Sequence, residues 1–94
     1  MSLHHAESIR AFDFLTRRER KAFEELPLNP IAAIELRMEQ LDFDRRDLEP
    51  YIGTRARVSE ILNGKRDLSL AMVRNLHAHL AIPLAHLLAE TPRP

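Results

Sequence analysis

At 94 residues, with 45% hydrophobic and 30% charged side chains and only two glycines, the chain has material for one all-α domain and no second one, and strands or disorder are disfavoured. Cysteine is absent, which excludes disulfides, thiolate chemistry and cysteine-ligated zinc, and no apolar run approaches the roughly 18 residues of a membrane span. Fourteen basic and fourteen acidic residues give zero formal charge, excluding a uniformly basic surface, and with neither span nor secretory pattern the expected compartment is the cytoplasm.

Met1-Ser2-Leu3 reads as a remnant of cloning, and residues 91–94, with two prolines, read as a frayed tail. Between Ala6 and Leu26, the side chains Ile9, Phe12, Leu15, Phe23 and Leu26 recur at mostly helical spacing. Thr16-Arg17-Arg18-Glu19 fits a capping box, in which a threonine hydroxyl and a glutamate three residues later satisfy free amides, so two short helices are predicted here. Pro27-Leu28-Asn29-Pro30 can continue neither, because proline lacks an amide donor and restricts the residue before it. The expected organisation is an N-terminal helical segment and linker over 1–29, a five-helix domain over 30–90, and a tail over 91–94.

Pro30 suits the first turn of a helix on which Ile31, Ile34, Met38 and Leu41 share a face. Asp44 caps a short second helix carrying Leu48, and Pro50 predicts that it ends or bends near Glu49. Gly53-Thr54 supplies a turn and a cap for a third helix whose Val58, Ile61 and Leu62 face inward and which ends at Asn63-Gly64. Ser69 caps a fourth helix bearing Met72, Val73, Leu76 and Leu80, and Pro83 opens a fifth bearing Leu84, Leu87 and Leu88.

Short helices joined by tight turns, with a basic third helix, match a helix-turn-helix that presents one helix to the DNA major groove. Between Gly53 and Arg74 there are five basic residues (Arg55, Arg57, Lys65, Arg66, Arg74) against Glu60 and Asp67, so positive charge is clustered despite the neutral total. With Val58, Ile61 and Leu62 inward, a rotation of about 100 degrees per residue turns Ala56, Ser59, Glu60 and Asn63 outward, flanked by Arg55 and Arg57. Arg55, Ala56, Ser59 and Glu60 are the candidate base readers: arginine pairs bidentately with guanine, glutamate accepts from cytosine, and alanine meets a thymine methyl. Arg45, Thr54, Arg57, Asn63, Lys65 and Arg66 are the candidate phosphate contacts, which position the protein without specifying sequence.

The stretch from Arg37 to Pro83 resembles the HigA-type antitoxins of the lambda-repressor-like, XRE-type helix-turn-helix superfamily. The resemblance is carried by DLEPYIG (Asp47 to Gly53), RVSEILN (Arg57 to Asn63) and GKR followed by leucine (Gly64 to Leu68). It implies a transcriptional repressor that binds its own promoter as a homodimer and neutralises a ribosome-dependent, messenger-RNA-cleaving toxin of HigB type. Leu48 to Val58 is one residue shorter than in the broader superfamily, which fits the narrower family. Members of that family carry a longer helical region before the segment that here reads Pro30-Ile31-Ala32-Ala33-Ile34.

The remaining residues point to structure. His77 and His79 lie two apart on a helix and point to different sides, so neither they nor His4-His5 make a metal site. No glycine-rich phosphate loop, nucleophile elbow or paired-carboxylate spacing is present, and Glu35, Glu39 and Glu49 read as surface charge, so neither an enzyme nor a cofactor is expected. Phe12, Phe14, Leu15 and Phe23 either cover the core or face a partner. Dimerisation has two apolar faces to choose from, this segment and the Leu84, Leu87, Leu88 helix. A protein-interaction module that keeps the fold without promoter binding is the competing reading.

Overall fold

The computed structural model describes residues 15–91. Ile9, Phe12, Phe14, the His4-His5 pair, Met1 to Leu3 and the last three residues of the expected tail lie outside the described residues. Those described form an all-α domain, with helices α1 (Arg17–Glu25), α2 (Pro30–Leu41), α3 (Glu49–Ile52), α4 (Arg55–Leu62), α5 (Leu70–Leu80) and α6 (Leu84–Leu87), and a 3₁₀ turn, Arg45–Leu48, leading into α3. Among the described residues no helix is long and apolar enough to cross a membrane.

Helices α1, α2, α4 and α5 and the 3₁₀ turn begin where a polar side chain satisfies free amides, whereas α3 and α6 start without a side-chain cap. Thr16 forms the expected capping box, its hydroxyl accepting from the Glu19 N–H at 3.1 Å while its own N–H donates to the Glu19 carboxylate at 3.0 Å. In the linker, Asn29 caps α2 by accepting from the Ile31 and Ala32 amides at 2.9 and 3.2 Å, and Pro30 follows in the first turn, where a missing N–H costs nothing. Asp44 and Asp47 cap the 3₁₀ turn reciprocally. Thr54 caps α4 and Ser69 caps α5. The sequence predicts that the second helix ends or bends near Glu49, and the 3₁₀ segment does end at Leu48, but Pro50 does not stop the helical chain. It falls in the first turn of α3, and the backbone switches there from 3₁₀ to α geometry and continues to Ile52.

The core is built from one or two faces per element. Phe23, Ile34, Leu48, Val58, Ile61, Leu76 and Ile82 are almost fully buried, each worth about 1.5 to 3 kcal/mol in removed apolar surface. Leu15 joins them, so it and Phe23 cover the core. Helix α3 packs on α5, α4 on the 3₁₀ turn and α3, α6 on α2 and α5, and α1 on α2.

Two departures from the sequence pattern bear on stability. On α2, Ile34 is buried as expected, but Ile31, Met38 and Leu41 are only partly so, and the inward face also takes Ala33 and Arg37. Arg37 is 7% exposed, donating from Nε to the Leu80 carbonyl at 2.6 Å and from Nη1 to Gln40 at 3.0 Å, with Glu19 at 3.3 Å. On α6, Leu87 is buried while Leu84 and Leu88 are exposed, and His86 turns inward, its ring edge-on to Phe23 and its Nε2 3.3 Å from the Leu26 carbonyl.

Candidate nucleic-acid interface

The turn between α3 and α4 sets the direction of α4. Gly53 has φ +139° and ψ −150°, a region open to glycine alone, and its N–H closes α3 on the Glu49 carbonyl at 3.0 Å. Thr54 then accepts the Arg57 N–H at 3.2 Å. The Thr54 oxygen is occupied as a cap, while its O–H stays available to donate outward. The same end of α3 is held by Asn75 on α5, whose side-chain amide donates to the Tyr51 carbonyl at 3.4 Å.

Val58, Ile61 and Leu62 are buried as the periodicity requires, so the opposite face of α4 looks outward. Arg55, Ala56 and Asn63 are exposed, and Arg57, Ser59 and Glu60 are half-buried among their neighbours. The Ser59 hydroxyl lies 3.5 Å from Arg45 Nη1 and 3.4 Å from the Asn63 amide nitrogen, so two candidate phosphate contacts meet at the candidate base reader Ser59. Beside this face, the 3₁₀ turn and α4 enclose a groove of about 590 Å³ whose lining includes Arg45, Arg46, Arg55 and Ser59, with Asp44 and Glu49 as the acidic members. Arg46 is outside the expected set. Its only signal in the sequence is its place beside Arg45 in the first turn after the Asp44 cap.

At the other end of α4 the chain reverses in a Schellman turn. Gly64 takes φ +74°, the Gly64 N–H donates to the Ile61 carbonyl at 3.1 Å, and the Lys65 N–H donates to the Glu60 carbonyl at 2.9 Å. That reversal carries Arg66 back beside the helix it has just left. Its Nε donates to Glu60 Oε1 at 2.9 Å, and Arg57 Nε lies 3.5 Å from the same oxygen. Glu60, grouped with the base readers by periodicity, is thus held between two guanidinium groups. Lys65 and Arg66 are exposed.

No family model, curated protein or solved structure matches the chain. The site is therefore read from its own residues. It assembles Arg45, Arg46 and Arg55 at one end of α4 and Arg57, Lys65 and Arg66 along and beyond the other, with Ala56 and Ser59 and the carboxylates of Asp44, Glu49 and Glu60 among them. Six cations against three carboxylates around this helix face suit a polyanion.

The histidines have other contacts. His77 Nδ1 is 2.9 Å from the Ile82 carbonyl, and His79 lies against the Tyr51 ring at a centroid distance of 5.7 Å. Among the described residues no three histidine, aspartate or glutamate side chains converge as metal ligands would.

Proposed function

We propose that the protein is a sequence-specific DNA-binding transcriptional repressor that lays α4 in the major groove. The observation that carries this reading is the Thr54-capped α4, with Arg55, Ala56 and Ser59 facing out between Arg45 at one end and Lys65 and Arg66 at the other. Arg55 and Ala56 then read base edges with Ser59, while Arg45, Thr54, Arg57, Asn63, Lys65 and Arg66 hold phosphates. A single helix offers few base contacts, so the active species is a homodimer on paired half-sites. Through its resemblance to HigA-type antitoxins, the proposal extends to a repressor of its own toxin-antitoxin operon, acting in the cytoplasm with a HigB-type toxin as partner.

The test is binding to the duplex upstream of its coding sequence, measured across a salt series. Specific binding whose log affinity falls linearly with log salt supports the reading. Failure of specific binding at every salt concentration sinks it. One observation favours a second reading, a protein-interaction module: Leu28, Leu70 and Leu88 are 60, 60 and 66% exposed on a chain of zero net charge. Co-purification with a candidate toxin, together with absence of promoter binding, would select it.

A further inference from the structure

Glu60 is the acidic residue on the outward side of α4, and two features of the backbone and side chains converge on it. Its carbonyl takes the Lys65 N–H that closes the Schellman turn, and its carboxylate takes the Arg66 guanidinium that the turn returns to the helix. Arg57, one turn before it on α4, approaches the same oxygen. Both arginines engage Glu60 through Nε.

We infer that Glu60 is a positioning residue: it gathers Arg57 and Arg66 into one ordered cationic array beside α4 and thereby sets the balance between specific and indiscriminate DNA binding. This rests on the DNA-binding reading above. A free arginine loses much rotamer freedom when it grips a phosphate, and pairing with Glu60 removes part of that loss in advance. The carboxylate also cancels one of the two positive charges, which weakens attraction to any duplex regardless of sequence. A carboxylate already holding two guanidinium groups is a poor acceptor for a cytosine amino group, because a base contact must displace charge-assisted bonds. Fold stability gains little here. The three side chains are 41 to 48% exposed, and exposed ion pairs contribute little to folding.

The experiment compares wild type, E60Q, R66Q and the double variant on two duplexes of equal length, one selected by the wild type from a random pool and one of scrambled sequence. E60Q is expected to bind the scrambled duplex severalfold more tightly and to steepen its salt slope by about one. The ratio of selected to scrambled affinity falls, while the single-base-pair substitution profile keeps its shape. In the R66Q background the effect of E60Q shrinks, as it must if the carboxylate acts through Arg66. A profile that flattens at one base pair with an unchanged salt slope would make Glu60 a base reader and overturn the inference, as would an E60Q effect equally large without Arg66. If the wild type selects no duplex at all, the DNA-binding reading fails and takes this inference with it.

Discussion

The guanidinium of Arg37 in α2 donates to the carbonyl of Leu80, 43 residues away at the end of α5, at 2.6 Å. Leu80 O is one of the carbonyls a helix leaves without an intrahelical donor, and it is buried. Arg37 therefore completes a helix terminus from across the core while its Nη1 serves Gln40 and Glu19. Arg37→Ala should destabilise the fold by about 2 to 4 kcal/mol, because it strands a buried carbonyl and removes the partner of Glu19 together. Arg37→Lys should recover little of this, since one ammonium cannot reproduce the fork. Urea denaturation of the three proteins checks both.

Glu19 gives the fold a dependence on acid. The Thr16 N–H, and beyond it the Arg37 guanidinium, hold the Glu19 carboxyl below its ordinary value against an opposing push from burial. A depressed folded-state value means that the stabilisation is fully present above the ordinary carboxylate range and is lost as pH falls through the folded-state value. Glu19→Gln keeps the capping geometry and removes the charge. The stability gap between it and wild type should therefore be largest near neutrality and close as pH falls through the lowered folded-state value. A gap that persists unchanged in acid would count against the ionic contribution.

Asp42 ends α2 in the left-handed region at φ 57°, with its carboxylate exposed at the negative end of the helix dipole. Conformation and charge both disfavour it there. Asp42→Gly should raise stability by about 0.5 to 1 kcal/mol and shift the thermal midpoint upward.

Gly53 separates strain from crowding. A Cβ added there would meet the nearest atom, Arg57 Cγ, at 3.7 Å, which is ordinary contact. Any loss in Gly53→Ala is therefore backbone strain, expected at about 1 to 3 kcal/mol. DNA affinity should fall further than the unfolded fraction explains, because the turn aims α4.

Arg55 and Lys65 should fail in different ways. Arg55→Ala is expected to relax discrimination at one base pair, by about 1 to 3 kcal/mol. Lys65→Ala should weaken all duplexes alike and reduce the salt slope by about one. Binding profiles over single-base-pair variants at two salt concentrations distinguish them.

Much of this architecture is legible locally. Thr16, Asp44, Thr54 and Ser69 announce helix starts because a cap and the amides it satisfies lie within three residues of each other. The inward set Val58, Ile61, Leu62 follows from helical period, and with it the outward face of α4. Other features depend on distant parts of the chain. Nothing local signals the burial of Arg37, because its partners are at Leu80 and Glu19, and Ala81 adopts φ 61° with no glycine to signal it. The pairing of Glu60 with Arg66 was hidden for a related reason: periodicity orients residues along α4 but cannot show that the chain doubles back at Gly64. The 3₁₀ start of the second helix is equally silent, since Pro50 marks a restriction and not the geometry that accommodates it.

The contact between Leu26 and His86 has a consequence for the nascent chain. Sixty residues separate them, so at 5 to 20 residues per second a ribosome makes the second roughly 3 to 12 seconds after the first. Throughout that interval Phe23 lacks the imidazole it packs against in the finished protein, and α5, which ends at Leu80, is complete only at its close. Helix α1 can pack on α2 early, but the face of Phe23 that meets His86 is completed only when synthesis reaches α6.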